Sequence, residues 1–360
     1  MRRELNIRQV AGRVMMVGLE GTTVTPLERS WLRIIRPSGV ILFKRNIEAP
    51  EQVMELLRDV TRIVGHNMLR AVDLEGGLVD RLRDVLGPMP SPADVYGTRN
   101  PDLYHQHGLL IGRAAHMMGF NATFAPVLDL ALPESKDVMK SRVISARPSD
   151  VVHYASAFLT GLAKHEVYGC GKHFPGLGGG TLDSHAAMPE IHRTLDQIWS
   201  QDLIPYRELS HLLPIVMVAH AAYPSVTHTT VPASLSSYWI TRILRKRINY
   251  RGLVISDDME MGGILYGHSI GDAAEKAIAA GIDMIEICKD PALILEAYET
   301  MLRRAENSGA FARQLRASYR RVEDWSDRFV LVQSQVLRSA TPARVEKLRA
   351  EIAHFREICS

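Results

Sequence analysis

A glycine-rich stretch near the middle of the chain, KHFPGLGGGTLDSH, carries ionisable side chains at both of its ends. Lys172 and His173 open it, and an Asp-Ser-His triplet, Asp183 to His185, closes it. A phosphate-binding loop would need G-x-G-x-x-G before a helix, or a glycine-rich loop that ends in Gly-Lys-Ser/Thr. The run from Gly176 to Thr181 fits neither pattern. Catalysis, metal binding and a plain structural turn are the interpretations that remain.

The Asp-Ser-His triplet has the residue types of a mobile proton donor. Glycine lacks a Cβ, so a glycine-rich loop has the backbone freedom to move its tip over a binding site and away again. Asp183 and His185 are two residues apart and can face each other across a tight turn. A carboxylate that accepts from one imidazole nitrogen fixes the tautomer and favours the protonated ring. Such a histidine can give a proton to a leaving group and later take one from water.

Two other interpretations of this loop are weaker. Its glycines could form an ordinary turn, with the triplet capping a helix. The side chains available as metal ligands are Asp183, His185, His173 and His220. The H-E-x-x-H and Cys-x-x-Cys spacings of common metal sites are missing from the sequence. We therefore expect no metal ion at this loop.

Eight short apolar segments alternate with amphipathic stretches along most of the chain. The stretches between them, such as Pro50–Gly65 and Asp272–Gly281, space their apolar residues as a helix does. This alternation predicts a parallel sheet, and about eight such units over roughly 250–300 residues predict an α/β fold of the (β/α)8 TIM-barrel type. An open doubly wound sheet is the alternative. The predicted strands are Val14–Leu19, Gly39–Phe43, Leu69–Leu74, Ala122–Leu130, Tyr168–Phe174, Ile215–His220, Leu253–Asp258 and Asp283–Cys288.

The chain beyond Cys288 has helical periodicity only, with a short break at Arg338–Arg344 before a last helix. It is too short for a second α/β domain. We predict a catalytic barrel over residues 1–290 and a C-terminal helical extension, packed on that barrel, over residues 291–360.

Polar residues stand where four of the predicted strands end: Asp73, Lys172, His173, His220 and Asp257. The carboxyl ends of barrel strands meet at one face, which carries the active site. One strand-end aspartate is often only a helix cap, but four strands that end this way indicate a shared site. Asp257 follows a buried strand and is suited to act as a carboxylate nucleophile. A mobile proton donor opposite a fixed carboxylate is the arrangement of a retaining glycosidase.

Composition excludes several other classes of protein. The chain has 360 residues, 46% of them hydrophobic, and a formal net charge of only +3, so nothing demands a nucleic-acid partner. The basic run Arg242–Tyr250 has the spacing of a solvated helix face. Three scattered cysteines make a disulfide framework improbable. No apolar segment reaches the ~18 residues of a membrane span, and the N-terminus lacks the features of a signal peptide. We expect a cytoplasmic protein without a membrane partner.

The order and spacing of several motifs carry a family resemblance. The sequence resembles the single-domain bacterial β-N-acetylglucosaminidases of glycoside hydrolase family 3, which trim muropeptides during cell-wall recycling. The resemblance extends from about Val14 to Cys288. The matching motifs are GVILFKRN, AVDLEGG, FAPVLDL, GKHFPG with DSH, AHAAYPSV and ISDDMEMGG.

The resemblance implies particular roles. Asp257 would be the nucleophile that forms a glycosyl-enzyme, and His185 would be the general acid/base with Asp183 as its partner. The implied substrate-binding residues are Asp73, Arg81, Arg147, Lys172 and His173. The implied partner is a small carbohydrate or a muropeptide, no metal or organic cofactor is implied, and the oligomeric state is left open.

The sequence departs from the family pattern at three positions near the expected site. Leu74, Leu78 and Leu177 stand where polar residues are usual, which leaves the preference for sugar and aglycone open. The alternatives within the family are a β-glucosidase-like exo-glycosidase and a glycoside phosphorylase. The alternative outside catalysis is an inactive muropeptide-binding protein.

Overall fold

The computed structural model of the protein describes residues 5–180, 188–333 and 340–360. Eight parallel strands close into a barrel, each hydrogen-bonded to its sequence neighbours among the eight, and an antiparallel hairpin is inserted after the third. The barrel strands are β1 (Met15–Val17), β2 (Gly39–Leu42), β3 (Leu69–Val72), β6 (Ala122–Thr123), β7 (Tyr168–Phe174), β8 (Ile215–Val218), β9 (Leu253–Asp258) and β10 (Met284–Ile287). The hairpin strands are β4 (Leu74–Gly76) and β5 (Val79–Asp80). The predicted (β/α)8 TIM barrel is confirmed.

Helices surround the barrel. The α-helices of the first half are α1 (Ile7–Arg13), α2 (Pro26–Ile35), α3 (Pro50–Val64), α4 (Arg83–Leu86), α5 (Pro92–Gly97), α6 (Pro101–Met117), α7 (Lys136–Met139) and α8 (Pro148–Ala163). Those of the second half are α9 (Leu195–Ser200), α10 (Ile204–Glu208), α11 (Pro224–Thr227), α12 (Gly262–Leu265), α13 (Ile270–Ala280), α14 (Pro291–Asn307), α15 (Gly309–Gln333) and α16 (Pro342–Ile358). Short 3-10 turns occur at Lys44–Asn46, Pro133–Ser135, Lys140–Arg142 and Ala233–Leu235, and Tyr238–Arg247 is a π-helix.

Local sequence explains where these helices begin and end. In α2, Thr25 and Glu28 form a reciprocal capping box, and Pro26 occupies the first turn, where its missing N–H costs nothing. Helix α3 begins at Pro50 and ends at Val64; the capping residue Gly65 has a left-handed φ of 73°, which glycine readily adopts.

The alternation of side chains along each strand separates two apolar layers. In β10, Met284 faces the barrel interior, whereas Ile285 and Ile287 pack outward against the helices. The outer layer is dense enough that helices meet backbone to backbone. A Cβ added at Gly108 in α6 would lie 2.0 Å from the carbonyl oxygen of Phe158 in α8. Glycine therefore allows these two helices to pack closely beside β6 and β7.

The C-terminal helices contact different parts of the barrel. Helix α14 packs against α13 and α1, and α15 packs against α1, α13 and α14. The ring of Trp325 in α15 lies 4.8 Å from that of Tyr168, at the start of β7, so α15 covers the N-terminal end of the barrel. Helix α16 packs against α4. The domain boundary at residue 290 stays a prediction. Within the described residues, no helix is both long enough and apolar enough to cross a membrane.

Candidate active site

A pocket opens at the C-terminal ends of the barrel strands, where the strand-end residues were predicted to meet. It holds about 870 Å³ of empty space, counted to include its open mouth. Five of the predicted site residues line it: Asp73, Arg81, Lys172, His173 and Asp257. They come from the ends of β3, β7 and β9 and from the hairpin beside β3. The barrel therefore assembles side chains that are up to 184 positions apart in the sequence.

Asp257 is the penultimate residue of β9 and lines the pocket. Its Oδ1 accepts a hydrogen bond from the backbone N–H of Asp258 at 2.9 Å. Burial by itself would raise the pKa of Asp257. The imidazoles of His173 and His220, the hydrogen bond from the N–H of Asp258 and the charge of Lys172 together outweigh burial and hold the pKa below its ordinary value. The carboxylate is therefore ionised at neutral pH. An ionised carboxylate held by one backbone hydrogen bond keeps lone pairs for attack on an electrophile.

A buried ion network fixes one wall of the pocket. The Nζ of Lys172 lies 3.0 Å from Oδ1 of Asp73 and 2.7 Å from Oε1 of Glu75. Arg142 binds Glu75 through two hydrogen bonds, of 2.9 and 2.8 Å. Burial opposes ionisation of Glu75, but the two cations outweigh it and lower its pKa to about 2. The pKa of Lys172 is raised in turn, because Asp73 and Glu75 outweigh its burial. This lysine is a fixed cation.

Asp73 and Arg81 form the polar edge beside that network. The Nη2 of Arg81 lies 3.6 Å from Oδ2 of Asp73. The Nε of Arg81 is buried and has no hydrogen-bond partner among the described residues. A donor and an acceptor held side by side match the hydroxyl groups of a sugar, which donate and accept at once.

His173 is held by the aspartate of the FAPVLDL motif. Its Nδ1 donates to Oδ2 of Asp129 at 2.7 Å, and its backbone N–H lies 3.2 Å from the same oxygen. The other carboxylate oxygen accepts from the backbone N–H of Leu177 at 2.7 Å. Because a carboxylate only accepts, this contact places a proton on Nδ1 and leaves Nε2 available to a ligand. The peptide bonds Lys172–His173 and Phe174–Pro175 are cis.

His220, a strand-end residue of β8, lies beneath the pocket wall and is fully buried. Its Nε2 donates to the carbonyl oxygen of Asp258 at 3.0 Å, and its Nδ1 lies 2.7 Å from Oγ of Ser234. Burial lowers its pKa. Through its hydrogen bond to Asp258, His220 therefore supports the end of β9 that carries Asp257.

Arg147 is the predicted site residue that the structure leaves outside the pocket. It precedes the first residue of α8, its side chain is 71% exposed, and its Nε donates to Asp150 at 2.9 Å. The arginine of this sequence block that does line the pocket is Arg142, five residues earlier. Neither Arg142 nor its partner Glu75 was predicted from the sequence as a site residue. The available signal was the Glu of the DLEGG motif, a charge inside a buried segment that requires a cation.

Asp183 and His185 lie outside the described residues, so their predicted roles stay predictions. The described chain on either side of them lines the pocket, through Leu177 and Gly180 before the gap and Pro189 after it. A Cβ added at Gly180 would lie 3.7 Å from the Cβ of Pro189, so the two ends are adjacent.

Two further acids lie close to Asp257 and were not predicted as functional. Burial, together with the charges of Glu260 and Asp257, raises the pKa of Asp258 to about 7. Glu286, on the neighbouring strand β10, also lines the pocket, and burial raises its pKa well above the ordinary value. Among the described residues, no group of three or more His, Cys, Asp or Glu side chains is arranged to hold a metal ion.

The rest of the pocket wall is apolar. The three leucines at which the sequence departs from the family pattern differ in their positions. Leu74 is buried in the hairpin, Leu78 is 54% exposed at its turn, and Leu177 lines the pocket. The other apolar lining residues are Phe43, Val79, Phe124, Val138, Met139, Met217, Pro189 and Met261.

A (β/α)8 barrel with an ionised carboxylate and hydroxyl-binding groups around one pocket has the architecture expected of a glycoside hydrolase. Residues 8–324 match the family model of the glycosyl hydrolase family 3 N-terminal domain. The chain belongs to this family.

Comparison with individual proteins gives the same family. The chain is 35% identical over 300 residues to a beta-hexosaminidase of Idiomarina loihiensis, across 82% of this chain and 90% of that protein. It is 38% identical over 282 residues to a beta-hexosaminidase of Pseudomonas aeruginosa strain LESB58, across 77% of this chain and 83% of that protein. The fold is similar to that of a glycoside hydrolase family 3 beta-N-acetylglucosaminidase from Paenibacillus sp. str. FPU-7. That comparison has a TM-score of 0.87 and 26% identity, and it covers 98% of this chain and 69% of the other.

Proposed function

We propose that the protein is a retaining exo-β-N-acetylglucosaminidase that removes terminal, non-reducing β-linked N-acetylglucosamine, with cell-wall muropeptides as its substrates. The observation that carries the proposal is the ionised carboxylate of Asp257 at the wall of a pocket whose other polar groups suit sugar hydroxyls. Family relatives named beta-hexosaminidase support the sugar. The muropeptide substrate rests on the resemblance in motifs alone.

The reaction proceeds in two displacements. Asp257 attacks the anomeric carbon while His185 gives its proton to the glycosidic oxygen, so the bond to the leaving group breaks as the bond to the enzyme forms. His185 then takes a proton from water, whose oxygen attacks the same carbon and releases Asp257. Asp183 orients the imidazole and stabilises its protonated form. In support, described residues on both sides of these two, Gly180 before them and Pro189 after them, line the pocket.

The remaining polar groups bind the sugar. Lys172 is held as a cation between two carboxylates and donates to hydroxyl groups, while Asp73 accepts from them. Arg81 offers its unpartnered Nε, and His173 offers Nε2. Because these groups are already fixed by ion pairs, little side-chain entropy is lost on binding. Arg147 was predicted from the resemblance to bind substrate, and its role is tested separately below.

The proposal is tested by steady-state kinetics with an aryl β-N-acetylglucosaminide. We expect turnover by the wild type, and a loss of about 100-fold or more in kcat for Asp257→Ala and for His185→Ala. His192→Ala, at an exposed histidine seven residues further on, is the matched control and should keep its activity. Nuclear magnetic resonance of the first-formed product should give the β-anomer.

Other results would contradict the proposal in distinct ways. If the wild type were inactive on aryl glycosides of several sugars, the result would favour an inactive muropeptide-binding protein. Preference for a β-glucoside would point to a β-glucosidase, and release of a sugar phosphate when phosphate is added would point to a phosphorylase. Full activity of Asp257→Ala would remove this residue from the mechanism.

A further inference from the structure

Glu286 is a carboxyl group in the barrel interior for which the proposed mechanism has no use. It lies in β10, two residues after Met284 and two before Cys288, and both of those side chains belong to the interior apolar cluster. Residues i and i+2 of a strand share one face, so Glu286 also points inward, at the level where the pocket begins. It is 3% exposed and lines that pocket.

The hydrogen bonds of Glu286 leave one of its oxygens unused. Its backbone N–H donates to Oγ of Ser256 at 3.0 Å, and its carbonyl accepts from the N–H of Met259 at 2.9 Å. In the side chain, Oε1 accepts from Sγ of Cys288 at 3.0 Å. Oε2 is buried and has no hydrogen-bond partner among the described residues. A buried polar atom without a partner carries an uncompensated desolvation cost, which a bound ligand can recover.

The charges around Glu286 favour its neutral form. Glu75, in the same pocket, is neutralised by Arg142 and Lys172, whereas no ion pair is formed by Glu286 within the described part of the chain. Burial and the neighbouring carboxyl groups of Asp258, Asp73 and Asp257 raise its pKa. A neutral carboxylic acid has one O–H donor. Because Oε1 already accepts from Cys288, the proton resides on Oε2.

We propose that Glu286 is a specificity-determining residue, which donates a hydrogen bond from Oε2 to an oxygen of the sugar bound in the pocket. The inference rests on the proposed function, since it assumes that a sugar occupies this pocket. The acceptor is a hydroxyl group of the sugar (O3, O4 or O6) or the acetamido carbonyl, since both kinds of group accept hydrogen bonds. A sugar that lacks this oxygen leaves the O–H unpaired in a buried site, so the pocket discriminates against it.

Two substitutions separate hydrogen bonding from packing. Glu286→Gln keeps a donor in nearly the same volume, because the amide NH2 donates where Oε2–H did. Glu286→Met keeps the volume but removes the donor, and it places an apolar side chain beside Met284 and Cys288. The variants are compared with wild type on an aryl β-N-acetylglucosaminide and on its 3-deoxy, 4-deoxy and 6-deoxy analogues. The aryl β-glucoside, which lacks the acetamido group, completes the series.

We expect Glu286→Met to lower kcat/KM on the parent substrate by roughly 10- to 100-fold, as the loss of one buried hydrogen bond predicts. Glu286→Gln should stay within about fivefold of wild type. One substrate of the series lacks the oxygen that accepts this hydrogen bond. On that substrate, the kcat/KM values of wild type and Glu286→Met should differ by less than about threefold. That loss of difference identifies the accepting oxygen.

An equal loss factor on every substrate would overturn the inference, because a purely structural role acts alike on all of them. An unchanged kcat/KM for Glu286→Met would overturn it too. A wild type inactive on the parent substrate would instead reject the proposed function, which keeps the two failures distinguishable. Thermal unfolding checks that the variants are folded. Glu286→Ala, which removes atoms without adding any, replaces Glu286→Met should the latter not fold.

Discussion

Asp257, Glu75 and Glu286 are three carboxyl groups of one pocket in three different electrostatic environments. Asp257 has two imidazoles nearby, Glu75 has two bound cations, and Glu286 has carboxyl neighbours and, among the described residues, no ion pair. In the proposed mechanism, the same chemical group would thus serve as a nucleophile (Asp257), as a fixed counter-ion (Glu75) and as a neutral acid (Glu286). Environments that move pKa values apart are how one site assigns distinct roles to like residues.

The two arginines of the SRVISARP block offer a direct test of which one acts at the pocket. Arg142→Met leaves Lys172 as the remaining cation of buried Glu75, which attracts Lys172 toward Glu75 and away from Asp73. We expect kcat/KM on an aryl N-acetylglucosaminide to fall by about 10- to 100-fold, because a buried charge loses a bidentate partner. Arg147→Met changes an exposed pair with Asp150 and should stay within about threefold of wild type.

A larger loss of kcat/KM for Arg147→Met than for Arg142→Met would indicate that Arg147 binds substrate, as the resemblance implies. Arg142→Lys refines the comparison, since lysine keeps the charge but cannot bind Glu75 through two nitrogens. Both variants are compared at a temperature where circular dichroism finds them folded, because Arg142→Met should also lower stability.

The sequence predicted those pocket residues that stand at strand ends. Asp73, Lys172, His173 and Asp257 follow from the rule that barrel chemistry sits at the carboxyl ends of strands. Other pocket residues did not follow from it. Arg142 comes from an irregular segment 67 positions from Glu75, and no local pattern encodes their pairing.

At the scale of elements, the eight predicted strands are confirmed, but their lengths differ from the apolar segments. The segment Ala122–Leu130 forms a strand over Ala122–Thr123 only. Pro126 lies in its middle and lacks the N–H that a ladder needs. The hairpin was not predicted. The Gly76-Gly77 pair was its signal in the sequence, because the turn requires φ angles of 94° and 61°, which glycine readily adopts. Apolar content locates a buried strand, whereas backbone hydrogen bonding sets its ends.

Helix α9 illustrates how a short element fixes the chain on both sides of residues 181–187. Asp202, just beyond the helix, accepts from Arg193, just before it, at 3.1 Å. Asp202 also packs against Gly176: a Cβ added at Gly176 would lie 2.9 Å from the Cβ of Asp202. One buried side chain thus contacts the described chain before and after the Asp-Ser-His triplet.

The buried position of Asp202 predicts a pH-dependent stability. Burial raises its pKa from 3.8 to about 6, against the opposing charge of Arg193, and its Oδ1 has no partner among the described residues. The folded protein therefore binds this proton more tightly than the unfolded chain, so stability falls as pH rises through this range. Asp202→Asn does not titrate. Its free energy of unfolding relative to wild type should rise by up to about 3 kcal/mol between about pH 4 and about pH 7.

Urea unfolding of both proteins at the two pH values measures the difference between their free energies of unfolding. The other titrating groups contribute equally to both proteins and cancel in this difference. Asp196→Asn, at an exposed carboxylate in the first turn of α9, is the matched control. A difference between Asp202→Asn and wild type that is constant with pH, or that shrinks as pH rises, would contradict the assignment.

For the molecule as a whole, the last helix is connected to the pocket through packed layers. Phe355 of α16 is fully buried, with its ring 6.0 Å from that of His107 in α6. His107 in turn lies against Gly76, the residue after Glu75 in the hairpin. Arg113 of α6 also pairs with Glu351 of α16, and Arg349 donates to the carbonyl of Val85 at 2.8 Å. Sequence periodicity predicted this helix but gave no information on where it docks.

This arrangement predicts that α16 contributes to stability and has little effect on catalysis. Phe355→Ala should lower the free energy of unfolding by about 3–5 kcal/mol, the range for truncating a buried aromatic ring. His354→Ala, at the exposed neighbouring position, should change it by less than about 0.5 kcal/mol. Well below the unfolding temperature, kcat/KM of Phe355→Ala should remain within about threefold of wild type, because the pocket network is held by its own ion pairs. Urea unfolding and kinetics on the same preparations measure both quantities. A loss of activity as large as that expected for Arg142→Met, without loss of folded protein, would instead make the packing of α16 on α6 a determinant of the pocket geometry.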